Sequence, residues 1–163
     1  MSKADIKSSG EIIFNNIALM IPKMYLPSPS ENMTKWAAVA CDQYTSQPEY
    51  WKQAEKIVGS APSTLKLMLP EIYLDDKDVD EKIGAVNENM RRYISDGILK
   101  ETEPCMMLVK RATGVSPERT GIVAALDLEK YSFEKGSGSL IRATEGTVTE
   151  RIPPRMKIRK NAM

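Results

Sequence analysis

A chain of 163 residues, 42% hydrophobic and 28% charged, has the size and mix of one globular domain that can bury a real core. Its 23 Lys and Arg oppose 22 Asp and Glu for a net charge of +1, which removes any global electrostatic reason to bind nucleic acid or an anionic membrane. Histidine is absent and cysteine occurs twice. Ser-His-Asp and Cys-His machinery, His-bearing zinc sites and four-thiolate zinc sites therefore cannot be assembled from this chain alone.

Along the first 27 residues Asn15, Asn16 and Pro22 interrupt the apolar run, so neither a signal peptide nor a membrane span is expected and a soluble cytoplasmic protein is. Residues 1–10 and 160–163 read as flexible ends of a single domain over 1–163. Short apolar runs at 11–21 and 35–41 (KWAAVAC) predict strands, with LPSPSENMT as a surface loop between them. Cys41 and Cys105, each beside apolar residues, read as buried free thiols in strands. The stretch 46–59 predicts a helix with Ser46 and Glu49 as a capping box and Pro48 in the first turn. Tyr50, Trp51, Ala54 and Val58 share one of its faces, and Gly59 ends it. Residues 63–74 (STLKLMLPEIYL) predict a strand closed by Pro70 and a short extension.

The acidic DDKDVDEK alternates like a calcium loop, but Glu81 stands where that loop needs glycine and Asn87 where it needs glutamate. These carboxylates instead predict a capped, dipole-compensated helix start. Val79, Ile83, Val86, Met90 and Ile94 follow at helical spacing up to Gly97. Two β-rich runs over 104–129 around a GVSPER turn predict a hairpin, and EKGSGS at 134–139 predicts a flexible loop. The expected class is α+β: a mixed, partly antiparallel sheet flanked by two main helices.

Two polar segments carry candidate chemistry. Between 142 and 160, Arg142, Arg151, Arg155, Lys157, Arg159 and Lys160 oppose Glu145 and Glu150, a local net of +4. Arginine forks suit phosphate or carboxylate; Thr144, Thr147 and Thr149 add hydroxyls, and Gly146 permits close backbone approach. Such a run also fits a solvated end whose charges offset the acidic 71–81 stretch. The other segment, Asp42, Gln43 and Thr45, stands between an expected strand and a helix N-terminus, where anionic groups are favoured. Neither GxGxxG nor GxxxxGK[ST] occurs, so standard dinucleotide and P-loop sites are excluded.

KWAAVACDQYTSQPEYW, APSTLKLMLPEIYL, RTGIVAALDLEKY and SLIRATEGTVTERIPPRMKIR, in this order, resemble the N-terminal portion of the bacterial domain-of-unknown-function family 1015. The resemblance runs from about residue 17 to the end. It implies that CDQYTSQ and IRATEGT…ERIPPR are signature polar segments. Full-length members are longer and carry histidines in their C-terminal part, so the chain resembles an N-terminal piece. No activity carries over with the resemblance.

Burying polar side chains is costly unless they are hydrogen-bonded, which makes a ligand site the favoured explanation for polar segments set in apolar surroundings. The expectation is one cleft in which Gln43, Thr45, Arg142, Thr144, Gly146, Thr147, Arg151 and Arg155 bind an anionic small molecule or nucleotide phosphate. Asp42 or Glu145 would act there as general base, or as ligand to a divalent cation such as magnesium, in phosphoryl transfer or hydrolysis. The alternative is a non-enzymatic binding or scaffold domain whose basic segment, kept extended by Pro153-Pro154, packs on the C-terminal half of a longer protein or on a protein partner. Nucleic acid is disfavoured because no aromatics interleave the basic run.

Overall fold

The computed structural model describes residues 5–6, 12–14, 17–132, 134–142, 146 and 148–160; for 5–6, 12–14 and 151 it describes the backbone alone. The fold is α+β. The chain forms two compact units, Met1–Leu26 with Glu101–Gly146 and Pro27–Lys100 with Thr147–Met163. Among the described residues no helix is long and apolar enough to cross a membrane.

In the first unit β1 (Asp5–Ile6), β2 (Ile12–Phe14) and β3 (Leu19–Met20) form an antiparallel sheet. The expected continuous strand over 11–21 is split, because the chain turns at 17–18, with Ala18 fully buried in the left-handed region at φ +54°. β4 (Tyr25–Pro27) and β5 (Leu99–Glu101) pair as a two-stranded ribbon. β6 (Met107–Thr113) and β7 (Ser116–Val123) make the expected hairpin, in register from Met107↔Val123 to Arg111↔Arg119. Its turn is shorter than GVSPER: only Gly114 and Val115 lie outside the strands. Pro117 lies within β7, and among the described residues neither strand has a second neighbour, the setting in which a missing N–H is tolerated. β8 (Ala125–Leu126) completes the first sheet in the order β1-β2-β3-β8. β9 (Tyr131–Ser132) and β10 (Ile141–Arg142) pair in parallel on either side of the Gly/Ser loop. Among the described residues the strands are thus divided among four small sheets.

The second unit is helical. α1 (Met33–Trp36) starts where the side-chain oxygen of Asn32 accepts from the backbone N–H groups of Thr34 and Lys35. That cap places Trp36 in a helix and leaves 37–40 unpaired, so the expected strand over 35–41 does not form. α2 (Pro48–Val58) buries Trp51 and Val58 and stops at Gly59, φ +56°. Ser46 is not its cap; Gln47 stands there without a side-chain cap bond, Pro48 being the first helical residue.

Over 63–74 the expected strand is replaced by two 3₁₀ turns, Thr64–Leu67 and Glu71–Tyr73. The Ser63 hydroxyl accepts from Leu65 N–H, which curls the backbone at the first turn, and Pro70 precedes the second. α3 (Val79–Ser95) follows the predicted periodicity and buries Ile83, Val86, Asn87 and Tyr93. Asp78 makes no side-chain cap bond. With Asp76 it grips the Lys82 ammonium instead, leaving Asp80 and Glu81 in the dipole-favoured first turn. α4 (Ile152–Lys160) takes up Pro153 and Pro154 in its first turn, so this dipeptide starts a helix and does not hold the chain extended.

Two clusters make the core of this unit, Trp36, Tyr93 and Leu99 in one, Trp51, Val58 and Leu65 in the other. Between them Ser63, fully buried, donates its hydroxyl to Trp36 C=O at 3.1 Å while its N–H donates to the Tyr93 hydroxyl at 3.1 Å. Both cysteines are free, as expected. They are only half-buried and outside the strands, Cys41 in a turn and Cys105 just before β6, because neither flanking apolar run is paired at that point.

Candidate functional site

The Cys41–Gln47 turn is tied down by backbone bonds from Glu71 N–H to Cys41 C=O at 2.8 Å, Gln43 N–H to Ala40 C=O and Gln47 N–H to Tyr44 C=O, each at 3.0 Å. Tyr44 adopts φ +52°, which a bulky residue rarely does. Its ring stacks on Tyr50 at 4.1 Å, and Tyr50 in turn meets Trp51 edge-on at 5.3 Å. The stack holds the exposed turn on the core. Asp42, Gln43 and Thr45 are all exposed, with the Gln43 amide donating to Asp42 Oδ1 at 3.4 Å.

From the other side α4, packed on α3, supplies arginines. Arg155 Nη2 donates to Glu71 Oε1, and Glu71 is 12% exposed. Arg155 Nε is buried and has no hydrogen-bond partner among the described residues. The Arg155 guanidinium is held above its ordinary pKa, chiefly by the Glu71 hydrogen bond, with burial opposing and the charges of Glu71, Cys41 and Asp42 adding to the rise. A cavity of about 370 Å³ lies between the turn and the helix, and Cys41, Asp42, Glu71, Arg155 and Arg159 line it over a floor that includes Leu67 and Met90. Arg159 is exposed and makes no ion pair among the described residues.

Two of the expected site residues, Asp42 and Arg155, thus share one cavity. Arg142 is exposed in β10, paired with Ser132, and belongs with Gly146 to the first unit. A Cβ on Gly146 would meet nothing within 4 Å, so no described part of the chain demands glycine there. Thr144, Glu145, Thr147 and the Arg151 side chain lie outside what the structure describes. Part of the basic run does offset the acidic stretch: Arg155 pairs with Glu71, and Lys157 reaches Asp80 at 2.8 Å.

Sequence reasoning missed Glu71, which it placed in a strand extension, and counted Arg159 in the charge without placing it in a site. Helical spacing from Arg155 to Arg159 was the available signal, once 152–160 is known to be a helix. Among the described residues no group of three or more acidic or cysteine side chains could hold a metal ion. The arrangement can hold an anionic group on the arginines with the exposed Asp42 carboxylate beside it.

No curated protein and no solved structure matches the chain. Residues 21–163 match the family described as "Protein of unknown function (DUF1015)", so the chain belongs to the family that its signature segments resemble.

Proposed function

We propose that the cleft between the Cys41–Gln47 turn and α4 binds the anionic group of a small metabolite or nucleotide, phosphate above all. The observation that carries this reading is Arg155: Glu71 fixes one edge of its fork, while Nε is buried without a partner among the described residues, in the wall of a cavity that also holds Asp42. An unsatisfied buried donor is costly, and an anion oxygen would relieve it. Arg159, one helical turn on, would supply a second cation.

Asp42 would then serve as general base, or would hold a divalent cation such as magnesium against the phosphate, and the reaction class would be phosphoryl transfer or hydrolysis. A cytoplasmic location fits such a substrate. A second reading, a binding or scaffold domain, rests on the outer face of α4. There Ile152 and Met156 are exposed beside Arg159 and Lys160, as suits a protein partner or the remainder of a longer protein.

Nucleotides and phosphorylated metabolites, screened by thermal shift with and without magnesium, test the site, since a ligand of the folded state raises the melting temperature. Arg159→Ala and Arg155→Lys should reduce the shift and Lys100→Ala should leave it intact. Equal shifts in all three variants, or none in the unmodified chain, would count against the site; in the second case the scaffold reading stands.

A further inference from the structure

A separate cavity, of about 260 Å³, lies among α2, the Thr64–Leu67 turn and α3, and only Met68 and Leu69 line both it and the cleft above. Val58, Leu65, Pro70 and Val86 give it apolar walls. The polar groups on its rim are nearly all engaged. The Tyr73 hydroxyl donates to Glu55 Oε1 at 3.1 Å, and the Lys82 ammonium is held by Asp76 and by Asp78. Asn89 donates to Lys66 C=O at 3.3 Å and accepts from Arg92 Nη2 at 2.8 Å.

Lys66 is the exception. It is half-buried, and among the described residues its ammonium has neither a hydrogen bond nor an acidic partner. Burial and the like charge of Arg92 both lower its pKa. A cation left this way against an apolar wall is disfavoured until an anion joins it.

We propose that this cavity is a second binding site, for a small monocarboxylate with an apolar tail, its carboxylate on Lys66 and its tail against Val58, Leu65, Leu69 and Val86. The volume suits about ten non-hydrogen atoms. One lysine balances one negative charge. A phosphomonoester dianion would leave a charge uncompensated beside Glu55, which selects carboxylate over phosphate. The site does not depend on the anion cleft.

Octanoate, with ten non-hydrogen atoms, is the probe; octylamine and octyl phosphate are the comparisons. In calorimetric titrations of the whole chain octanoate should bind with a negative heat-capacity change and more tightly than either comparison. Lys66→Met should weaken it by about tenfold or more, and Lys66→Arg should retain it. In the unmodified chain, NMR of ¹³C-methylated lysines should show octanoate raising the titration midpoint of Lys66, a readout that needs no variant to fold. No octanoate binding, octylamine binding equally well, an unchanged affinity in Lys66→Met, or an unmoved Lys66 titration would each overturn the proposal.

Discussion

Ser63 has no exposed surface, and its two polar groups join the Trp36 backbone, the Tyr93 hydroxyl and the first 3₁₀ turn. Removing its hydroxyl leaves Leu65 N–H without its acceptor inside the core. Ser63→Ala should cost about 1–3 kcal/mol, measured as a lower urea midpoint with the slope unchanged. Tyr73 is the residue with a pH signature. Burial first, then the hydrogen bond to Glu55 and the Glu55 charge, push its phenol up to about 12. The unfolded value is about 10, so the folded state keeps this proton longer. The associated stability is complete below about pH 10 and drains away as the pH climbs through about 12. Spectrophotometric titration should show one of the six tyrosines ionising near the top of that range, and in Tyr73→Phe the alkaline fall in melting temperature should be shallower.

At the scale of elements, signals were readable wherever local chemistry and burial agree. α3 has a full apolar stripe, two acids in its first turn and Gly97 at φ +69° just past its end, so its limits were legible from spacing alone. The hairpin was legible too, because Gly114 and Val115 sit between two β-rich runs. KWAAVAC and STLKLMLPEIYL were misread for one shared reason. A short apolar run says that side chains will be buried, not whether the backbone is extended or curled. Asn32 and Ser63, through side-chain bonds to nearby N–H groups, decided for helix and 3₁₀ turn.

Glycine separates the two roles that an element can give it. Gly59 ends α2 with φ +56°, whereas Gly84 lies inside α3, where an added Cβ meets nothing within 4 Å. Gly59→Ala should destabilise by about 1–2 kcal/mol, while Gly84→Ala should stabilise by about 0.5–1 kcal/mol. Thermal melts of the two variants should therefore shift in opposite directions.

Over the whole molecule, burial is uneven. Among the described residues the second unit contains both aromatic clusters and nearly every buried side chain, while β6 and β7 expose Leu108, Val109, Ile122 and Val123. Stability should be distributed accordingly, since segments with few buried contacts open at low cost. Hydrogen exchange should be fast at the amides of 107–123 and slowest around Ile83–Tyr93 in α3. Equal protection of the two would show that the hairpin is covered in solution. The candidate cleft was only partly legible: the sequence marked Asp42 and Arg155, which the structure brings to one cavity, but not Glu71, which lies there because Glu71 N–H bonds Cys41 C=O and its carboxylate accepts from Arg155.

By itself the sequence determined the α+β class, the long helix with its stops, the hairpin, the free thiols and that this chain brings no imidazole of its own. Each of these follows from residue type or from neighbours a few positions apart. Only the tertiary structure decided which arginine is clamped by an acid 84 positions away, that the half-buried Lys66 at a cavity rim has no acidic partner among the described residues, and which apolar runs curl instead of extending. Charge pairing and burial depend on distances through space, and a chain of +1 net charge with its ions so evenly matched does not announce which of them will meet.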